Sequence, residues 1–136
     1  MTEEIRDAEW DKFCASFSRM FAGSLVTIET VDPENVHREV AHEVPFEGIE
    51  LDHTDKCMDV LHVRASQEGQ RHIEQNVMEP IHIIARRKHD GAKVLEIIGE
   101  EGETYIHFHS GVWPERFSQP RAQYATPSGG MMQATA

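Results

Sequence analysis

Apolar side chains recur at three- and four-residue steps from Trp10 through Phe13 and Phe17 to Met20 or Phe21, with Cys14 beside them. That spacing is one face of an amphipathic helix. Asp7 suits an N-cap, and Glu9 and Asp11 lie in the first turn, where the helix dipole favours negative charge. Arg19 and Gly23 supply the favoured charge and the stop at the other end. Four large side chains on one stripe mean that the helix covers something, so the stripe is read as core packing and not as a cofactor box.

After Gly23 the period falls to two and β-branched residues take over. "SLVTIETV" reads as a strand ended by the turn former "DPEN", and "VHREVAHEV" sets Val36, Val40 and Val44 among charged neighbours, as a half-exposed antiparallel strand does. "PFEGIEL" bends the chain at Pro45 and Gly48. "CMDVLHVRA" is a further strand turned by "QEGQ", and "RHIEQNVMEPIHIIARR" is either one strand broken near Pro80 or two short ones. "HDGAK" carries an Asp-Gly hairpin signal, and a last hairpin runs from Lys93 to Ser110. The expected fold is α+β but mostly β: an N-terminal amphipathic helix followed by a six- to seven-stranded antiparallel curved sheet or small barrel, with the helix plugging one end or face. Residues 1–117 are expected to form this one domain. Residues 118–136, ending "PSGGMMQATA", have no periodicity and read as a polar, flexible tail.

Candidate chemistry concentrates in "YIHFHSG", residues 105–111. With Glu101 and Gly102 as the loop, the last hairpin would pair Ile97 with Ile106 and Leu95 with Phe108 on the inner face. The outer face would then carry Val94, Glu96 and Ile98 across from His109, His107 and Tyr105, with Glu96 directly opposite His107. Two histidines and a carboxylate are the donor set of a non-haem iron site, and imidazoles two residues apart on a strand point the same way. The plainer reading is a cross-strand charge pair on a solvated face, contributing about 0.2–1 kcal/mol. The plainer reading is preferred, so no cofactor is expected. A single divalent transition metal on His107, His109 and Glu96 is the alternative. "HFH" has a superficial likeness to the cupin pattern, but the carboxylate that pattern needs three or four residues later is missing, since Val112 and Trp113 stand there and the first later acid is Glu115.

The other histidines are read more plainly still. His62 and His82 fall inside apolar strands as satisfied core or edge residues, whereas His37, His42, His53, His72 and His89 sit beside turns or charges. "RRKH" at 86–89 alternates along a strand and reads as a solvated strand end. No GxSxG, HExxH or glycine-rich phosphate loop occurs, so nucleophilic catalysis has little support.

Charge narrows the list of partners. The 136 residues carry 24 acidic and 13 basic side chains, a formal net charge of -11, so the surface field repels nucleic acid, anionic lipid and acidic substrates. A basic partner or a role in solubility is the better match. Nine histidines mean that mild acidification would offset much of that charge. Cys14 and Cys57 lie in no ligand spacing and read as reduced core thiols, with a pairing between them left open. "MTEEIRDAEW" lacks the basic and apolar runs of a secretory signal, and no stretch approaches the ~18 apolar residues of a membrane span. A cytoplasmic protein with no membrane partner is expected.

The segments "EWDKFCASFSRMFAGSLVTIET", "VPFEGIELD", "HIEQNVMEPIHI" and "VLEIIGEEGETYIHFHSGVWPE" together resemble a small bacterial domain-of-unknown-function family, number 5335, over about residues 5 to 117. The resemblance implies that the last strand commonly carries arginine or serine where this chain has His107 and His109, which argues against a shared metal chemistry. It implies no activity, substrate or site. The layout is also distantly similar to Sm-like barrels, but layout alone does not assign a function, and the acidic balance opposes RNA binding.

The function expected from these residues is that of a non-catalytic protein-interaction or assembly module. Its helix and exposed strand edges would meet a protein partner or another copy of the chain. Trp113 and Phe117, aromatics around a proline at the tail junction, are the candidate anchors. A metal-binding protein is the alternative.

Overall fold

The computed structural model describes residues 1–54, 58–67 and 71–117. Strand β1 (Thr2–Ile5) leads through a 3-10 turn, Asp7–Glu9, into helix α1 (Trp10–Phe21). Strands β2 (Leu25–Val31), β3 (His37–His53), β4 (Asp59–Gln67), β5 (Arg71–Met78), β6 (Pro80–Arg87), β7 (Lys93–Gly99) and β8 (Gly102–Phe108) follow. The expected tail, and Cys57 with any pairing to it, lie outside the described residues.

The helix follows its sequence stripe: Trp10, Phe13, Cys14, Phe17 and Phe21 are its buried residues. Its start differs from expectation. Asp7 opens the 3-10 turn, and neither that turn nor α1 has a side-chain cap hydrogen bond. The entry is fixed instead by the Trp10 Nε1–H, which donates to the Ile5 carbonyl at 2.9 Å. At the other end Gly23 adopts φ +88, a conformation that costs glycine little, and its N–H donates to the Phe46 carbonyl at 2.7 Å.

All eight strands form one antiparallel sheet in the order β1-β6-β7-β8-β2-β3-β4-β5. The sheet is curved but not closed: β1 and β5 are its two edges. The strand count exceeds the expected six or seven partly because "TEEI" has no strand signature of its own. It becomes β1 by pairing with β6, from Thr2 opposite Arg86 to Ile5 opposite Ile83. Pro80 does separate two strands, with Glu79 at φ +49 between them, and the two sit far apart in the sheet.

Curvature comes from β3, a single 17-residue strand that changes partner midway. Its first half pairs with β2 as far as Pro45 opposite Leu25, and its second half pairs with β4 from Phe46 opposite Ala65. Register shifts fall between Val26 and Ile28 and at Phe46/Gly48. The first coincides with Glu43 at φ +49, so bulges bend the strand before and after the Pro45 corner. They also change which side chains face inward: Ala41 is buried, whereas Val36 and Val40 are exposed.

The last hairpin corrects the expected register. Leu95 lies opposite Ile106, Ile97 opposite Thr104 and Gly99 opposite Gly102, so the loop residues are Glu100 and Glu101. The shift is two residues, and side chains alternate with period two, so every residue keeps its face while every partner changes. Glycine at both ends of the turn permits this register. A Cβ on Gly99 would lie 2.7 Å from Val77 Cγ1, and one on Gly102 would lie 2.8 Å from the Val31 carbonyl oxygen.

The core fills the concave side of the sheet. Phe17, fully buried, has ring neighbours on every side: Phe13 and Phe21 from its own helix, Phe46 from β3, Phe108 from β8, and Trp113 and Phe117 from the following segment, at 4.7–5.9 Å between centroids. Each such ring contributes roughly 1.5–3 kcal/mol on burial. The aromatic cluster therefore seats α1 over the Phe46 and Phe108 end of the concavity. The end marked by Thr104 and Arg38 is left uncovered by the helix.

Candidate functional site

Four places bear on function: the outer face of the last hairpin, the aromatic junction after β8, the end of the sheet that the helix leaves open, and the edge at β5.

On the outer face, the three candidate metal ligands do not converge. Glu96 stands opposite Tyr105, not His107. Its carboxylate is held by Arg86 from β6, whose Nε and Nη2 donate to it at 2.6 and 3.1 Å. His107 turns toward β2, with its Nε2 3.5 Å from Glu29 Oε1, and His109 Nε2 lies 2.8 Å from Thr27 Oγ1. No group of three or more His, Cys, Asp or Glu side chains among the described residues is placed to hold a metal ion. Glu29 also meets His37 at 3.2 Å, so the carboxylate beside His107 comes from a strand distant in sequence. Tyr105 donates to Glu103, and burial together with this bond pushes its phenol well above the usual range.

The aromatic junction turns inward. Trp113 is 4% exposed and stacks among Phe17, Phe21, Phe108 and Phe117, while Phe117 packs on the same cluster and its N–H donates to Glu3 at 2.8 Å. These two side chains, the expected partner anchors, are placed in the chain's own core. Trp113 Nε1 is the one buried side-chain polar atom without a hydrogen-bond partner among the described residues.

Of the remaining histidines, His37, His42, His53, His62, His72 and His82 are each paired with a carboxylate. His53 bridges Asp59 and Asp11 at 2.9 and 3.1 Å, and these hydrogen bonds raise its pKa. His62 Nδ1–H donates to Asn76 Oδ1 at 2.6 Å, and the ring faces Asp52 and Glu74; the Asn76 bond first, then the two carboxylates, raise its pKa. His82 meets Glu4 at 2.6 Å and so ties β6 to the edge strand β1. Arg86 and Arg87 point to different partners, Glu96 and Glu115, as the alternation of "RRKH" requires. Cys14 is a buried free thiol, pushed up to about 12 by burial and by Asp11.

At the end opposite the helix, the concave face opens into a cleft of about 350 Å³. Its polar floor comes from Thr30, Arg38, Gln75 and Thr104. Thr30 stands opposite both Arg38 and Thr104, and Gln75 stands opposite the buried Val63. Strand alternation therefore turns all four toward the concavity. Sequence reasoning passed over this cleft. The available signal was the replacement of Ile28 and Ile106 by Thr30 and Thr104 one step further along the same inward rows.

The other feature of note is the β5 edge, eight residues long, with no strand paired to its outer side among the described residues. No helix among those residues is long and apolar enough to cross a membrane. A model of a family of unknown function (DUF5335) matches residues 1–115. No curated protein matches the chain, and no solved structure does.

Proposed function

The chain belongs to this family of unknown function, and we propose that it acts as a non-catalytic protein-interaction module that takes an extended segment of a basic partner along the outer edge of β5. The observation that carries this reading is the open edge itself. Among the described residues the sheet ends at β5, eight residues long, where the backbone donors and acceptors of alternate residues face away from β4, whereas the opposite edge strand, β1, has only four residues. An unpaired edge is a template for strand addition, in which main-chain hydrogen bonds supply affinity and alternate side chains supply specificity.

Charge selects the occupant. A net charge of -11 makes two copies repel one another and attracts a cationic segment. The neighbouring outer surface carries Glu47, Glu50 and Glu74, only partly offset by Arg64 and His72. A cytoplasmic setting accords with a buried, unoxidised Cys14.

The test is a titration of isotope-labelled protein with a peptide of alternating lysine and valine, about eight residues long to match the edge. A glutamate–valine peptide is the control. Amide shifts confined to β5, slower exchange of its outward N–H groups and weakening with salt are expected. Unmoved β5 amides at millimolar peptide would overturn the reading, as would equal binding of the acidic peptide. A concentration-dependent dimer that protects β5 would assign the edge to a second copy instead.

A further inference from the structure

We propose that the cleft at the helix-free end of the sheet is a binding site for a small zwitterion of the amino-acid or short-peptide class, independent of whatever occupies the β5 edge. Two observations lead there. Thr104 is the single buried polar residue among those described, 2% exposed, yet it lines the cleft, and its hydroxyl is accessible there while bonding to none of the described residues. That hydroxyl, one donor and two acceptor sites, is left free for a molecule in the cleft. Arg38 lines the same cleft, and its guanidinium forms no ion pair with any described carboxylate, although the chain has nearly twice as many acidic as basic side chains. With Thr30 and the Gln75 amide, these groups make a convergent set of donors and acceptors on a rigid sheet.

The charges around the cleft choose the class of ligand. Arg38 presents the fork of donors that matches a carboxylate in two-point fashion. The lining also includes Asp32, Glu101 and Glu103. One oxygen of Asp32 is already engaged by the Glu34 and Val36 N–H groups, and Glu103 accepts from Tyr105. These carboxylates nevertheless keep a negative field suited to an ammonium group. A dianion would meet Arg38 but be repelled by the carboxylates, and a polyamine would meet the carboxylates but be repelled by Arg38. A molecule with one carboxylate and one ammonium satisfies both. Val31, Val77 and Met78 add an apolar wall for a side chain. A volume of about 350 Å³ lies at the small end of ligand pockets, which fits a free amino acid or dipeptide.

The experiment is a nuclear magnetic resonance titration with the common L-amino acids and their glycyl dipeptides. The N-acetyl and carboxamide derivatives of each binder, together with succinate and spermidine, serve as controls. At least one zwitterion should shift the amides of Thr30 and Thr104, and either blocking group should abolish the effect. Arg38 is exposed, so Arg38→Gln should fold normally and weaken binding about tenfold or more. The proposal is overturned if no zwitterion moves these amides at millimolar concentration, if succinate or spermidine binds better, or if Arg38→Gln leaves the affinity unchanged. Peptide binding at the β5 edge is read from different amides, His72 and Glu74, so either idea can fail without the other.

Discussion

The Ser18 hydroxyl closes a reciprocal pair of hydrogen bonds with Ile49: it accepts from the Ile49 N–H at 2.9 Å and donates to the Ile49 carbonyl at 3.0 Å. This pair does the work of a missing strand. The β2 ladder ends at Leu25 opposite Pro45, so Ile49, paired with Val63 on one side, has no strand on the other. Gly48 makes the approach possible, because a Cβ there would stand 2.9 Å from Ser18 Oγ. Ser18→Ala should leave two partly buried backbone groups unpaired and lower stability by about 1–3 kcal/mol. Gly48→Ala should also destabilise, and the two effects should be non-additive because both act on one contact. Urea denaturation of the two single variants and the double variant measures this.

Trp113 packs in the core yet leaves its indole N–H without a partner among the described residues, so two substitutions there should diverge. Trp113→Ala removes a ring that touches four phenylalanines and should cost about 3–5 kcal/mol. Trp113→Phe keeps a ring and removes the unpaired donor, so its cost should be at most about 1.5 kcal/mol. Equal losses in thermal melts would mean that the indole nitrogen has a partner in solution.

Arg86 and Glu96 make a two-point ion pair on the outer face, with Glu96 only 13% exposed at its side chain. A double-mutant cycle on this pair should give a coupling of about 1 kcal/mol that survives added salt. The pair Arg6 and Glu9, far more exposed at 3.4 Å, should show a coupling that disappears under the same conditions. His107→Ala and His109→Ala should both leave stability within about 0.5 kcal/mol, as surface substitutions do.

Stability should follow pH in two steps with opposite signs. His53 and His62 have pKa values raised above the usual 6.5 by hydrogen bonds to carboxylates and to Asn76, so the folded state holds their protons more tightly. Their contribution is full below pH 6.5 and is lost as the pH rises through the raised values. Glu47 and Glu74 are shifted below 4.5, Glu47 chiefly by Ser66 and Glu74 by Arg64, so their contribution is present above 4.5 and is lost as the pH falls through the lowered values. Maximum stability should therefore lie between about pH 4.5 and 6.5. In His53→Gln the loss on the alkaline side should shrink, and denaturation midpoints across this range would register it.

Cys14 is buried, and its thiol is pushed up to about 12, which leaves almost no thiolate at neutral pH. In a chain carrying Cys57→Ser, a disulfide reagent should label Cys14 only at the rate of unfolding. Rapid labelling without denaturant would show that α1 lifts from the sheet.

Much of this architecture was legible in the residues themselves. The helix stripe from Trp10 to Phe21, the turn at "HDGAK", the break at Pro80 and the two faces of the last hairpin all rest on local periodicity or turn chemistry, which short stretches of chain specify. What the chain could not reveal locally depended on partners far away in sequence. "TEEI" is a strand only because β6 lies beside it, and His107 faces Glu29 only because β8 pairs with β2. The hairpin register was settled by two glycines that let Val77 and Val31 approach closely. The cleft at Thr104 exists because the sheet curls while the helix covers only one end. Periodicity assigns each side chain to a face, but only tertiary packing decides what that face meets, because those contacts join segments that the local pattern leaves independent.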